Sequence, residues 1–169
     1  MLFGRSAQAT LSRALRVDEL ASRSRHVLLG EPLDSYCEWA RIGDRKHIVT
    51  YTRVRTHELL AGADPKQEEL LVRTLGGQVG ELGELVHGEA RLRLGNRGVL
   101  FVMPVRDVLT VTAMAQGHYP LQRDRAGIEL LARSPAAVEI LDDPSAAVRR
   151  LPGLKVPEAR SLIAQAVKR

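Results

Sequence analysis

Apolar positions recur mostly with the two-residue period of β-strands, and with a helical period only near the two ends of the chain. Val17, Leu20 and Ala21 predict one short helix over residues 17–23, and Asp18 and Glu19 in its first turn suit a helix N-terminus. From Ser24 the period changes. His26-Val27-Leu28-Leu29-Gly30-Glu31-Pro32-Leu33 reads as a strand with a bend at Gly30, continued over 36–39 and turned at 42–45. Residues 47–60 form the longest β signal. Val54 and Thr56 fall on one face, Arg53, Arg55 and His57 on the other. Further strands are expected at 70–74, 85–94, 99–104 and 108–114, with a last hairpin joining 118–121 to 128–131. Val99-Leu100-Phe101-Val102-Met103-Pro104 is the most apolar of these runs and predicts a central buried strand.

Beyond residue 135 the pattern turns helical. Asp142-Asp143-Pro144-Ser145 is a helix start, with acidic capping residues before a proline. It predicts a helix over 144–151, stopped by Pro152-Gly153. Pro157 opens a second, in which Ala159, Leu162, Ile163, Ala166 and Val167 make one apolar stripe. Such a stripe needs an apolar partner, and the sheet is the economical one. Six or seven short strands punctuated by turns, with glycines inside them, predict a mainly β (α+β) protein. Its architecture is a small OB-like, partly closed β-barrel of five to seven strands with short C-terminal helices. The expected organisation is an N-terminal segment over 1–16, a barrel over 17–135 and a helical appendage over 136–169 packed on the barrel.

Composition adds two constraints. The chain of 169 residues carries 25 Lys+Arg against 20 Asp+Glu; only four are lysine (Lys46, Lys66, Lys155, Lys168), leaving 21 arginines. A net charge of +5 raises nucleic-acid binding as a possibility to test. The charges are interleaved with carboxylates and never form a run of five, so dedicated nucleic-acid binding is disfavoured. The single cysteine, Cys37, excludes an intramolecular disulfide and a cysteine-built zinc site, and its neighbour Glu38 opposes a reactive thiolate. No stretch reaches the length of apolar sequence that a membrane-spanning helix needs. Ala7-Gln8-Ala9 has the A-x-A form cut by signal peptidase, but only Met1-Leu2-Phe3 precedes it as an apolar run. Read literally, the chain carries no export signal, and the unpaired Cys37 counts modestly against secretion; on a second reading residues 1–9 are the tail of a signal peptide whose start lies upstream.

The catalytic motifs fail one by one. Gly77-Gln78-Val79-Gly80-Glu81-Leu82-Gly83 lacks the spacing of a dinucleotide site, leads into β-like sequence, and carries carboxylates that repel phosphate. A kink or bulged turn explains it better. The five histidines, His26, His47, His57, His87 and His118, show no metal-ligand spacing. No nucleophile elbow is present. The segment Ala113-Met114-Ala115-Gln116-Gly117-His118-Tyr119-Pro120 is the least explained by structure alone. It sets Gln116, His118 and Tyr119 around a glycine just after a strand, where binding residues of barrels gather, although a bulge accounts for it as well.

Several short motifs follow one another in a familiar order: His26-Val27-Leu28-Leu29-Gly30-Glu31; Ile48-Val49-Thr50 on to Glu58-Leu59-Leu60-Ala61-Gly62; Val72-Arg73-Thr74-Leu75-Gly76-Gly77-Gln78-Val79-Gly80; Val86-His87-Gly88-Glu89-Ala90; and Val99-Leu100-Phe101-Val102. With the 114–119 segment, this order resembles a family of uncharacterised exported bacterial proteins over residues 17–122. The resemblance implies export and brings no catalytic residues. More distantly the order is similar to netrin-type modules, the five-stranded OB barrels that include the tissue inhibitors of metalloproteases. Those inhibitors chelate zinc through an N-terminal cysteine. Cys37 is internal and alone, so that mechanism does not carry over.

The expectation is a non-enzymatic binding module, periplasmic or secreted with the cytoplasm as the alternative, that takes a protein or an envelope polymer and holds no cofactor or metal. Candidate ligand-binding residues are Gln116, His118 and Tyr119, with Arg53 and Arg55 on one strand face and Arg91 and Arg93 on another. One alternative is a single-stranded nucleic-acid-binding OB domain using Arg53, Arg55, Arg73, Arg91 and Arg93, with Tyr51 as the nearby stacking aromatic. Another is an enzyme acting near 113–120.

Overall fold

A computed structural model describes residues 13–137 and 143–168; the expected signal-peptide remnant at 1–9 lies outside them. Helix α1 (Val17–Arg23) is followed by two long strands, β1 (His26–Ile42) and β2 (Arg45–Gly62). Then come β3 (Glu69–Leu75), the small pair β4 (Gly77–Val79) and β5 (Leu82–Glu84), β6 (Gly98–Val105) and β7 (Val108–Val111). A 3-10 turn (Met114–Gly117) leads to β8 (His118–Arg123), β9 (Glu129–Leu131) and helices α2 (Ala147–Arg150) and α3 (Val156–Val167). No helix among the described residues is long and apolar enough to cross a membrane.

The sheet runs β1-β2-β3-β7-β6-β8-β9, and β6 also pairs with β1 through five residue pairs, His26↔Val102 to Gly30↔Gly98. Strands β1, β2, β3, β7 and β6 therefore form a five-membered ring, in keeping with the expected mainly β, partly closed architecture. Closure is partial. The β3–β7 seam is parallel and only two pairs long, Val72↔Leu109 and Arg73↔Thr110, whereas every other junction is antiparallel. Strand β1 bends into the ring through register shifts at Val27/Leu28, Leu29/Gly30 and Pro32/Asp34. Gly30 sits where a Cβ would come 2.6 Å from Val54 Cγ1 and 2.8 Å from Leu28 Cδ1, so only glycine lets these strands approach so closely.

Side-chain alternation sorts two cores onto opposite faces of the same strands. Leu28, Val54, Leu70, Val72, Leu100, Val102 and Val111 fill the ring. Val27, Leu29, Val99 and Phe101 face outward, onto α1, α2 and α3, with Leu20, Leu151, Ala159 and Ile163 fully buried between them. Glu19 at the third position of α1 accepts from the Arg16 N–H at 2.9 Å, and Glu158 accepts from Lys155 N–H at 2.8 Å in α3. The apolar stripe expected on the last helix packs through Ala159, Leu162, Ile163 and Ala166, whereas Val167 is exposed, and α3 lies on α1 as well as on β2. Ala14 and Leu15, expected in the N-terminal segment, are buried core residues, and the Ala147 N–H donates to Leu15 O at 2.8 Å.

Three expectations differ from the structure. Residues 85–94 are not a strand. Both edges of β6, the strand that follows it, are occupied, by β1 on one side and by β7 and β8 on the other, and the segment reaches β1 by a backbone hydrogen bond only at its end, where the Gly95 N–H donates to Pro32 O at 2.7 Å. It crosses the ring as an irregular loop, and Ala90 and Leu92 pack on the interior cluster. The strand expected at 108–114 ends at Val111, because Ala113 and Met114 take left-handed backbone at φ 54 and 57. The helix expected over 144–151 spans only Ala147–Arg150; the Asp143 carboxylate instead accepts from the Ser145 N–H at 2.8 Å and the Ser145 hydroxyl at 2.6 Å. The glycine-rich stretch forms the β4–β5 hairpin.

Candidate functional site

Strands β7 and β8 lie along the same edge of β6, interrupted by a five-residue excursion: the Thr112 N–H donates to Phe101 O at 2.8 Å, and His118 is the residue paired with Leu100. Residues 113–117 are thus a long bulge. Gly117 closes its neck, where a Cβ would lie 2.3 Å from Thr112 O. Within it, Gln116 is buried, and its amide oxygen accepts from Leu15 N–H at 2.9 Å while its amide nitrogen donates to Arg13 O at 3.0 Å. Gln116 holds the chain that enters α1. On the other side, the Ala115 N–H donates to Gly88 O at 2.9 Å, tying the bulge to the 85–97 loop.

Strand β8 then divides its residues between two environments. Tyr119 and Leu121 enter the helix-covered core, and Tyr119 meets Phe101 edge-on at 6.1 Å, its hydroxyl buried and without a hydrogen-bond partner among the described residues. His118, Pro120 and Gln122 face the other way, into a cleft of about 270 Å³. The 85–97 loop supplies the opposite wall through His87, Arg91, Arg93 and Asn96, and Pro135 and Ala136 complete it. His118 is 5% exposed, and burial holds its imidazole down to about 4, so at neutral pH it is uncharged. The Ser134 hydroxyl oxygen lies 3.4 Å from its Nδ1.

The structure thus brings together three of the seven candidate residues, His118, Arg91 and Arg93. The two arginines do so from a loop, not from the strand face expected of them. Among the described residues neither arginine forms an ion pair, and no carboxylate lines the cleft. Two guanidinium groups beside neutral imidazole and amide groups make a site for an anion, because guanidinium matches a carboxylate or phosphate with two parallel hydrogen bonds.

Arg53 and Arg55 lie elsewhere, on the outer face of β2. Arg53 is paired with Asp34 and, at 3.3 Å, with Glu69; Arg55 reaches Glu69 at 3.5 Å. Tyr51 stacks on Tyr36 at 5.3 Å across the β1–β2 pair. These arginines are engaged by carboxylates. The other histidines are dispersed: His47 Nδ1 lies 2.7 Å from Glu84, His57 Nε2 lies 2.7 Å from Glu31, and His26 Nδ1 lies 2.5 Å from Ala63 O. Among the described residues no three metal-ligating side chains gather.

A second cavity, of about 320 Å³, opens at the mouth of the ring. Thr50, Thr52 and Thr74 line it with Glu89, whose carboxylate accepts from Leu75 N–H at 3.2 Å and from Ala90 N–H at 2.9 Å. Burial pushes this carboxyl above its ordinary value, against the two backbone donors and Arg73. Sequence reasoning missed Glu89, Asn96 and Gln122. Their only signal was membership of a polar loop or of a strand end, and the fold alone makes them neighbours.

Comparison with protein families, with curated proteins and with solved structures found no match to this chain.

Proposed function

We propose that the protein is an exported, non-enzymatic binding module whose ligand is an anionic polymer of the cell envelope. The observation that carries this reading is the cleft between β8 and the 85–97 loop, where Arg91 and Arg93 stand without carboxylate partners among the described residues, beside His118, Asn96 and Gln122. Acidic groups repeated along a polymer would enter this cleft one at a time, each taken by a guanidinium pair with amide donors beside it. Export rests on the Ala7-Gln8-Ala9 pattern and on the resemblance to exported bacterial proteins.

Titration of a fluorescent carboxylated polymer against the protein tests the reading. Arg91→Ala with Arg93→Ala removes binding by at least tenfold, on the scale of about 1.5–3 kcal/mol for a hydrogen bond to a charged group. Arg53→Ala with Arg55→Ala leaves it unchanged. Tighter binding of a single-stranded oligonucleotide, lost with Arg53 and Arg55, would place the site on the strand face and refute the reading.

A further inference from the structure

We propose that the mouth of the ring is a subsite for sugar hydroxyl groups, which makes the ligand an acidic glycan; this inference rests on the anion-binding reading of the cleft. The inward face of β2 and β3 changes character along its length. Val54 and Leu70 are paired deep in the ring, Thr52 and Val72 come next, and Thr50 and Thr74 are paired at the opening. An apolar interior thus ends in a polar mouth. The Thr50 hydroxyl donates to Gly76 O at 2.7 Å and lies 3.3 Å from Cys37 Sγ, so it keeps at most one lone pair to accept from a ligand. Glu89 holds one backbone N–H on each oxygen and keeps its remaining lone pairs for further donors.

This set of groups selects among ligand chemistries. A metal ion wants several anionic ligands free to turn toward it, and the two carboxylates of the mouth are already engaged, Glu84 by His47 and the Ile48 N–H and Glu89 by two backbone N–H groups. A vicinal pair of hydroxyls donates and accepts at once, as hydroxyl side chains beside a carboxylate require. Leu75, Leu85 and Leu92 supply apolar wall for the carbon-bound hydrogens of a ring. The mouth and the cleft share Val86 and Arg91, so the two cavities lie on either side of one loop wall. A chain crossing that wall presents its acid group to Arg91 and Arg93 and the hydroxyls of a neighbouring unit to Thr52, Thr74 and Glu89.

The test compares two polymers of matched length and charge, an oligogalacturonate and poly-glutamate, by calorimetric titration. The expected result is at least tenfold tighter binding of the oligogalacturonate, with the preference falling to threefold or less in Thr52→Val/Thr74→Val. Both changes preserve side-chain shape, and Thr74→Val alone serves if the double variant melts early. Equal affinity of the wild-type protein for the two polymers, or a preference that survives the threonine changes, would overturn the subsite. Binding of neither polymer would overturn the cleft reading itself, a separate failure.

Discussion

His118 and Tyr119 are adjacent on one strand, yet burial acts on them in different surroundings and with different consequences. Tyr119 is fully buried in the helix-covered core, and burial pushes its hydroxyl well above the usual tyrosine range. A buried hydroxyl without a partner costs about 1–3 kcal/mol of desolvation that nothing returns. Tyr119→Phe keeps the edge-on contact with Phe101 and removes that cost, so chemical denaturation should show stability raised by about 1 kcal/mol. A clear loss would show that the hydroxyl has a role in the fold. His118 has a pH consequence. Its ordinary value is 6.5 and its folded value about 4, so between these the unfolded chain binds the proton that the folded one refuses. Stability is therefore full above pH 6.5 and falls as the pH drops towards 4, by an amount on the order of 3 kcal/mol. Glu89, raised by burial, acts in the opposite sense in the acid range. The difference between the wild type and His118→Gln isolates the histidine: denaturation curves from pH 7 to 4 should show the variant losing less stability than the wild type.

At the scale of elements, the strands were legible because alternation is a local property. The burial of Val54 between exposed Arg53 and Arg55 follows directly from a period of two. The central place of β6 follows from its apolar run, and α1 from its spacing and acidic first turn. The 85–97 loop was not legible, since Ala90-Arg91-Leu92-Arg93-Leu94 alternates as a strand does. The strand it would meet in a simple hairpin, β6, is occupied on both edges by residues far away in sequence. The candidate site suffers from the same limit, because its cleft lies between this loop and β8. Gln116 illustrates the converse: its polarity suggested a ligand, and its amide instead fastens Arg13 and Leu15 to the bulge. That bulge depends on Gly117. Gly117→Ala would press a Cβ against Thr112 O and is expected to cost about 1–3 kcal/mol. Thermal melting measures this as a drop of roughly 2–4 °C for each kcal/mol at this chain length. An unchanged midpoint would show that the bulge neck is not closed in solution.

Across the whole molecule, a net charge of +5 is spread over a surface where many arginines are already answered by carboxylates. Arg13 faces Glu19, Arg16 faces Asp18, Arg97 faces Glu129, and Arg160 faces Glu58. Exposed pairs of this kind add little stability, about 0–1 kcal/mol each, but they neutralise the surface locally. Arg91 and Arg93 stand apart because they line a concave surface with no carboxylate among its described lining residues. The fold produces that arrangement: a partly closed ring, a loop drawn across it by Ala90 and Leu92, and β8 carried along the edge of β6 to form the facing wall. The most direct test is titration of a carboxylated polymer in rising salt, with the wild type beside Arg91→Ala/Arg93→Ala. Salt-sensitive binding that the double substitution weakens at least tenfold is the expected result. Binding of equal strength in both proteins, or none in either, would contradict the account.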